Sequence, residues 1–434
     1  MGTSENNGKT FLLYLLARSI VNLRILVRNL GGLMLLAALA LGGYWSMRLA
    51  WADALFRRDT EASVREAARL VPSNAECHAR LAAILDGSGN AGAEAELRKA
   101  VAASPRLASA WVELGLHAEN AGAVPEAESD LGHAARNDRR YSTLWMLANF
   151  YFRHNQSDKF WPVARRALRV GDAAAYDPAP LFGLCWKLSR DPDTILNRAI
   201  PDVGAVQARY LEFLVRENLA PAAEPVTERV VAMSGDRDLS AVYLYCDRLI
   251  AEGDAERAIH AWNALCWRTL RGYRPLAPDA GVSLTNGDFS AKPVEHGFDW
   301  RMTATEGVTV ERAGLPPRLW ITLDGHEPEV CDLAEQALAV SPGRKYRLRF
   351  RYQTDGLAAA SGVRWRLMDI AGHTEIESDA VDLSSKQEAA ATVRFQIPAE
   401  VGLVRLVLAY RRTPGTVRIE GRVAVADLAL EFDR

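Results

Sequence analysis

Cysteine is scarce: five among 434 residues (Cys77, Cys185, Cys246, Cys266 and Cys331), none in a C-x-x-C pair. That excludes a disulfide framework and a structural zinc site of ordinary spacing; the five read as small core residues. An excess of positive charge is also lacking, with 52 Lys+Arg against 54 Asp+Glu and a formal net charge of -2. Dedicated nucleic-acid binders carry a basic footprint, so no nucleic-acid partner is expected. There is no G-x-S-x-G, H-E-x-x-H or P-loop, and the eight histidines are scattered. Carboxylate pairs exist in Glu327/Glu329 and Glu375/Glu377, but alternate residues of a strand or loop share a solvated face without a cleft. No enzyme is expected. At 49% apolar and 24% charged the chain is not disordered, and its length fits two to four domains.

Long hydrophobic runs are absent except one. From Leu30 to Met47 no residue is charged, and about 20 apolar residues at 1.5 Å rise cross a hydrocarbon core. Tyr44 and Trp45 near its far end suit the headgroup level, and Arg28 and Arg48 bracket it. The reading is a transmembrane helix over 30–50, preceded by a cytoplasmic amphipathic segment, 1–29, lying in the interface. Ala38 and Ala40 would also satisfy a signal cleavage site, and a buried core helix is the third alternative. The flanking basic residues barely decide orientation. The N-terminus is placed inside and the bulk outside a bacterial cytoplasmic membrane, single-pass, because the C-terminal part looks extracytoplasmic.

Trp111 and Trp145 stand 34 residues apart, the tetratricopeptide period. In WVELGLHAENAGAVPEAESDLGHAA, the residues Trp111, Leu114, Gly115, Gly122, Ala127, Leu131 and Ala134 fall at the pattern positions, and this unit closely resembles the tetratricopeptide repeat (TPR) family. Neighbouring units keep part of the pattern: Leu81, Gly89, Ala93, Leu97 and Ala100 before it, Trp145, Ala148 and Phe152 after it, and Tyr243, Gly253, Ala258 and Trp262 near the end. Over 178–230 the repeat is degenerate and rich in proline, which fits helix starts and connections. The resemblance implies an α-solenoid over 51–275, five or six helix pairs that bind protein partners on their first helices. Glu113, His117, Asn149, Arg153 and Asp247 are the candidates there, although a polar residue on a solenoid is often simply solvated.

At GYRPLAPDAG the pattern turns from helical period to alternation. Short strands such as LWITLD, KYRLRFRYQTDG, GVRWRLMDI, LVRLVLAYRR and VAVADLALEF follow, the signature of an all-β antiparallel jelly-roll sandwich over 281–434. LTNGDFS, GFDWR, SPGRKYRLRFRYQT and VADLALEF together resemble the galactose-binding-like jelly rolls of carbohydrate-binding modules. That family often holds a structural calcium beside its first strand; Asn286, Asp288 and Asp427 would be the oxygen ligands here. The family's glutamate is replaced by Ser290, which weakens the calcium, and no other cofactor is expected.

Alternation places Arg347, Arg349 and Arg351 on one face of a strand. Arg364 and Arg366 alternate along the next, so the two strands together would build a basic surface. Arginine forks grip carboxylates or phosphates, so this face, with Trp320 as a stacking ring, is the candidate glycan site. The bland reading is a solvated face paired with Asp and Glu. The three-part architecture resembles the membrane-anchored TPR proteins of bacterial exopolysaccharide clusters. It implies a non-catalytic scaffold in surface polysaccharide assembly or export. Its partners would be membrane-embedded glycan assembly or export proteins, the bilayer through one helix, and acidic polysaccharide. The alternatives are a general envelope assembly factor whose two domains bind proteins only, and an enzyme accessory with hidden chemistry.

Overall fold

The computed structural model describes residues 5–170, 176–233, 239–357, 360–370 and 373–433, with residues 5–27 described in their backbone alone. Its contacts divide the chain into two compact units, Met1–Gln156 and Ser157–Arg434. The division falls inside the run of helices, the last of which ends at Arg268.

The first unit contains α1 (Glu5–Phe56), α2 (Glu61–Leu70), α3 (Ala75–Gly87), α4 (Ala93–Ala103), α5 (Ala108–Asn120), α6 (Val124–Asn137) and α7 (Tyr141–Arg153). Residues 5–29, expected to lie apart in the interface, continue the same helix as the apolar run, with no break at 29–30. From Arg28 to Phe56 the helix is long and apolar enough to cross a membrane, and Leu33 and Leu36 are 69% and 67% exposed. Its last turns change role. Ala52 and Leu55 are buried with Ala67, Ala68 and Val71 of the α2 segment and with Cys77, and Arg48 Nε donates to the Leu70 carbonyl at 2.7 Å. The apolar helix therefore ends as part of the first repeat.

Local chemistry sets the helix starts. Thr60 and Ser63 form a capping box before α2, and Asn74 caps α3 by accepting from the Glu76 N–H. In the α5–α6 pair, a Cβ on Gly115 would stand 2.7 Å from Leu131 Cγ, so the close approach requires glycine. Glu119 and Arg153, 34 residues apart, occupy equivalent places on α5 and α7 and pair at 2.6 Å. The repeat period is thus expressed as a side-chain contact.

The second unit continues with α8 (Ser157–Arg169), α9 (Ala179–Leu188), α10 (Pro192–Arg198), α11 (Gly204–Arg216), α12 (Glu224–Met233), α13 (Ser240–Glu252) and α14 (Ala255–Arg268). Proline stands in the first turn of α9 (Pro180, second position) and of α10 (Pro192, first position), where its missing N–H costs nothing. Among the described residues ten strands follow: β1 (Trp300–Met302), β2 (Val308–Ala313), β3 (Arg318–Asp324), β4 (Val330–Ala339), β5 (Lys345–Asp355), β6 (Val363–Asp369), β7 (Glu375–Ile376), β8 (Ala389–Gln396), β9 (Leu403–Arg411) and β10 (Glu420–Phe432). They form two five-stranded sheets, in the orders β1-β4-β9-β6-β7 and β2-β3-β10-β5-β8, with every pairing antiparallel. Inward residues of both sheets, among them Trp300, Leu319, Ile321, Tyr346, Phe350, Trp365, Leu406, Tyr410 and Val423, make one core. This is the expected α-solenoid followed by a jelly-roll sandwich.

Candidate functional site

The topology revises the expected arginine surface. β5 and β6 are consecutive in sequence but belong to different sheets, so Arg347, Arg349 and Arg351 do not share a face with Arg364 and Arg366. The chain crosses from one sheet to the other between the two strands.

On the β2-β3-β10-β5-β8 sheet the outward arginines are neutralised by the strand beside them. β10 lies against β5 with Glu431 opposite Arg347, and the Glu431 carboxylate accepts from Arg347 and Arg349. Both arginines hold that carboxyl below its ordinary range, against the opposing effect of burial. Arg351 pairs with Asp427 and, at 2.9 Å, with Glu388. Glu388 also binds Arg318 of β3. Trp320 points outward from β3 as alternation requires, half-buried, but the Arg422 guanidinium lies 4.8 Å over its ring. Arg422 is tied in turn to Asp355 at 3.1 Å. The face is a lattice of ion pairs, with one side of the outward Trp320 already covered.

The other sheet differs. Arg366 is clasped by both oxygens of Glu375 at 2.9 and 3.0 Å. Arg364 makes no hydrogen bond or ion pair among the described residues; it faces a cleft at the end of β6 and β9.

The three candidate calcium ligands lie near one another, since the Leu428 N–H donates to the Gly287 carbonyl at 2.9 Å. Their oxygens have other work. Asn286 closes a ring of two hydrogen bonds with the backbone of Ala291, Asp288 Oδ1 accepts from the Ser290 N–H, and Asp427 pairs with Arg351. Among the described residues no group of three or more His, Cys, Asp or Glu is placed to hold a metal ion. Asp427 sits at a bulge, with φ of 49° and the β5–β10 register shifting between Ala426 and Ala429.

Of the solenoid candidates, Glu113 is exposed and Asn149 half-buried. His117 Nε2 lies 3.3 Å from Asp86 of α3, and Arg153 is held by Glu119. Asp247 of α13 is bonded within the chain. Its Oδ1 accepts from the Gly297 N–H and from Arg301 Nη2, each at 2.6 Å, and its Oδ2 contacts His296 Nδ1 at 2.7 Å. It is a joint between the last helix pair and the sandwich. Trp262 packs edge-on against Phe298, and Tyr273 donates to Asp299 at 2.6 Å. Burial pushes the Asp299 carboxyl up.

Two features escaped the sequence. Glu327, expected to be solvated, is fully buried, with Oε2 accepting from the Gly325 N–H. Gly87, Gly89 and Gly92 stand at G-x-G-x-x-G spacing, but they join α3 to α4; without the preceding strand, the glycines form a turn and not a dinucleotide loop.

No family model and no curated protein matches the chain. Among solved structures, one described as "CBM4 structure and function" is 15% identical, covers 35% of this chain and all of its own, and has a TM-score of 0.27. PilF of Pseudomonas aeruginosa is 17% identical over 51% of this chain and 89% of its own, with a TM-score of 0.25. YrrB, described as a TPR protein with an unusual peptide-binding site, is 14% identical over 49% of this chain and 95% of its own, with a TM-score of 0.25.

Proposed function

We propose that the protein is a non-catalytic, membrane-anchored scaffold of bacterial surface polysaccharide assembly or export, holding protein partners on its helical repeats and glycan on its sandwich. The observation that carries the anchoring is the exposed apolar stretch of α1, which runs without a break into the first repeat. An anchor fused in this way holds the repeats close to the membrane surface, where embedded glycan-assembly proteins would be met. The closed joint around Asp247 supports the sandwich acting as a rigid extension of the last helix pair.

The second reading, an envelope assembly factor whose two domains bind proteins only, is favoured by the internal pairing of Arg347, Arg349 and Arg351. Binding of the full chain, in lipid nanodiscs, to a panel of neutral and acidic oligosaccharides separates the two. Micromolar binding to any saccharide supports the glycan scaffold. Membrane insertion without saccharide binding overturns it in favour of the protein-only reading.

A further inference from the structure

The arginines of the sandwich strands, with Arg412 just after β9, are almost all spoken for. Arg301, Arg318, Arg347, Arg349, Arg351, Arg366, Arg394, Arg405, Arg412 and Arg422 each lie within ion-pair distance of a carboxylate. Three arginines of these strands lack a carboxylate: Arg312 of β2 donates instead to the carbonyls of Phe289 and Ser290, whereas neither Arg364 nor Arg411 has a side-chain hydrogen-bond or ion-pair partner among the described residues. Arg364 and Arg411 are also neighbours. In the β6–β9 ladder Val363 stands opposite Tyr410 and Arg364 opposite Ala409, which sets Arg364 and Arg411 diagonally on the outward face, about 7–8 Å apart at Cα.

Both line one cleft of about 570 Å³, a size that holds a small ligand. The strands are pinned there: the Arg411 N–H donates to the Gly362 carbonyl at 2.9 Å, and a Cβ on Gly362 would stand 2.1 Å from the Arg411 carbonyl oxygen. Ala360, Val381 and Pro414 supply apolar walls. One acid borders the cleft, Asp382, and its carboxylate is turned onto the loop, accepting from the Ser361 N–H and hydroxyl and from the Gly362 N–H at 3.2 Å. Arg412 is held aside by Glu329 at 2.5 Å.

We infer that this cleft binds the carboxylate of a uronic-acid residue in an acidic glycan, gripped between the Arg364 and Arg411 forks with the ring against Ala360, Val381 and Pro414. The inference rests on the glycan reading above and names its site and its sugar class. Two guanidinium forks that no carboxylate among the described residues bonds, within reach only of the longer-range charge of Glu375, are matched by a bidentate acceptor, and small apolar walls accept the C–H face of a pyranose. A neutral sugar offers the forks hydroxyl acceptors but no charge, and charge-assisted bonds are roughly twice as strong.

The test is calorimetric titration of the full chain, in nanodiscs of neutral lipid, with a mannuronic acid tetramer, its carboxyl-reduced neutral counterpart, and inorganic phosphate. The acidic tetramer is expected to bind and the reduced one to bind at least tenfold more weakly. Arg364→Ala and Arg411→Ala should each weaken the acidic tetramer at least tenfold with melting temperature unchanged. Arg364→Lys, which keeps the charge but not the fork, should fall between. Wild-type binding retained in both alanine variants overturns the site while leaving glycan binding in place. Equal binding of the reduced tetramer, or phosphate displacing the acidic tetramer at equal concentration, overturns the uronate assignment. Failure of the wild type to bind the acidic tetramer also overturns it, and with no saccharide of the neutral and acidic panel bound, the glycan reading fails as well.

Discussion

The Gly297 N–H donates to Asp247 Oδ1 across 2.6 Å, joining the loop before β1 to α13 at a point where the backbone can be only glycine. Gly297 has φ of +58°, and a Cβ there would lie 2.5 Å from the buried Trp262 ring. Asp247→Ala strips this N–H and the Arg301 guanidinium of their acceptor at once. An unsatisfied buried donor costs roughly 1–3 kcal/mol, more when charged, so the variant should lose about 2 kcal/mol in denaturant unfolding. Arg301→Ala on the Asp247→Ala background should cost little more, which a double-mutant cycle reads directly.

Gly115 makes a sharper steric prediction. The Leu131 contact at 2.7 Å means that Gly115→Ala must push α5 and α6 apart. Overpacking costs about 1–3 kcal/mol, while alanine in a helix regains up to about 1 kcal/mol over glycine. The net expectation is a loss of about 1 kcal/mol for alanine and more for Gly115→Val, followed as a lower melting temperature.

These two glycines show what the sequence could carry. Gly115 was legible, because the Trp111–Trp145 spacing places it in a repeat whose geometry is local and periodic. Gly297 and Asp247 lie 50 residues apart in an unrepeated arrangement, and no periodicity announces such a contact. The same limit explains the arginines. Alternation correctly put Arg347, Arg349 and Arg351 on one face and Trp320 outward, since a strand's two faces follow from its own residues. Which strands lie side by side does not, so Glu431 and Asp427, about 80 residues downstream, and the separation of β5 from β6 became visible only in the sheet order.

That pairing leads to a negative expectation. Exposed ion pairs contribute about 0–1 kcal/mol, and the partners of Arg349 and Trp320 are internal. Arg349→Ala and Trp320→Ala should therefore leave acidic-oligosaccharide binding within twofold of wild type and shift the melting temperature by only a few degrees. A tenfold loss in either would place the ligand on the β2-β3-β10-β5-β8 sheet instead.

Asp138 should contribute to the acid sensitivity of the first unit. Its carboxylate accepts from Arg140 Nε, the Arg140 N–H and the Thr143 hydroxyl at 2.8–2.9 Å. The Arg140 guanidinium outweighs burial and brings the carboxyl down to about 2. A carboxyl depressed in the folded state adds stability above its unfolded value near 4, and that contribution disappears as pH falls toward 2. Glu119 and Glu96 are also lowered, so the difference between variants is the informative quantity. Stability of Asp138→Asn should fall less steeply than that of wild type between about pH 4 and pH 2, the two curves converging at the acid end.

The end of α1 belongs to both the apolar helix and the first repeat, and shortened chains can separate the two roles. A chain beginning at Arg48 keeps Ala52 and Leu55, 3% and 8% exposed, and keeps the Arg48 bond to the Leu70 carbonyl, while losing the uncharged run. It should leave the membrane fraction and unfold at the temperature of the full chain's helical repeats. A chain beginning at Asp59 removes the buried residues as well. Loss of a buried leucine alone costs about 2–5 kcal/mol, so α2 and α3 should fray, seen as early amide exchange from Val64 to Leu85. The full-length Leu55→Ala variant should show the same local exchange but remain in the membrane fraction. If that variant instead left the membrane with its repeats intact, the anchor would lie in the α1–α2 packing and not in the apolar run.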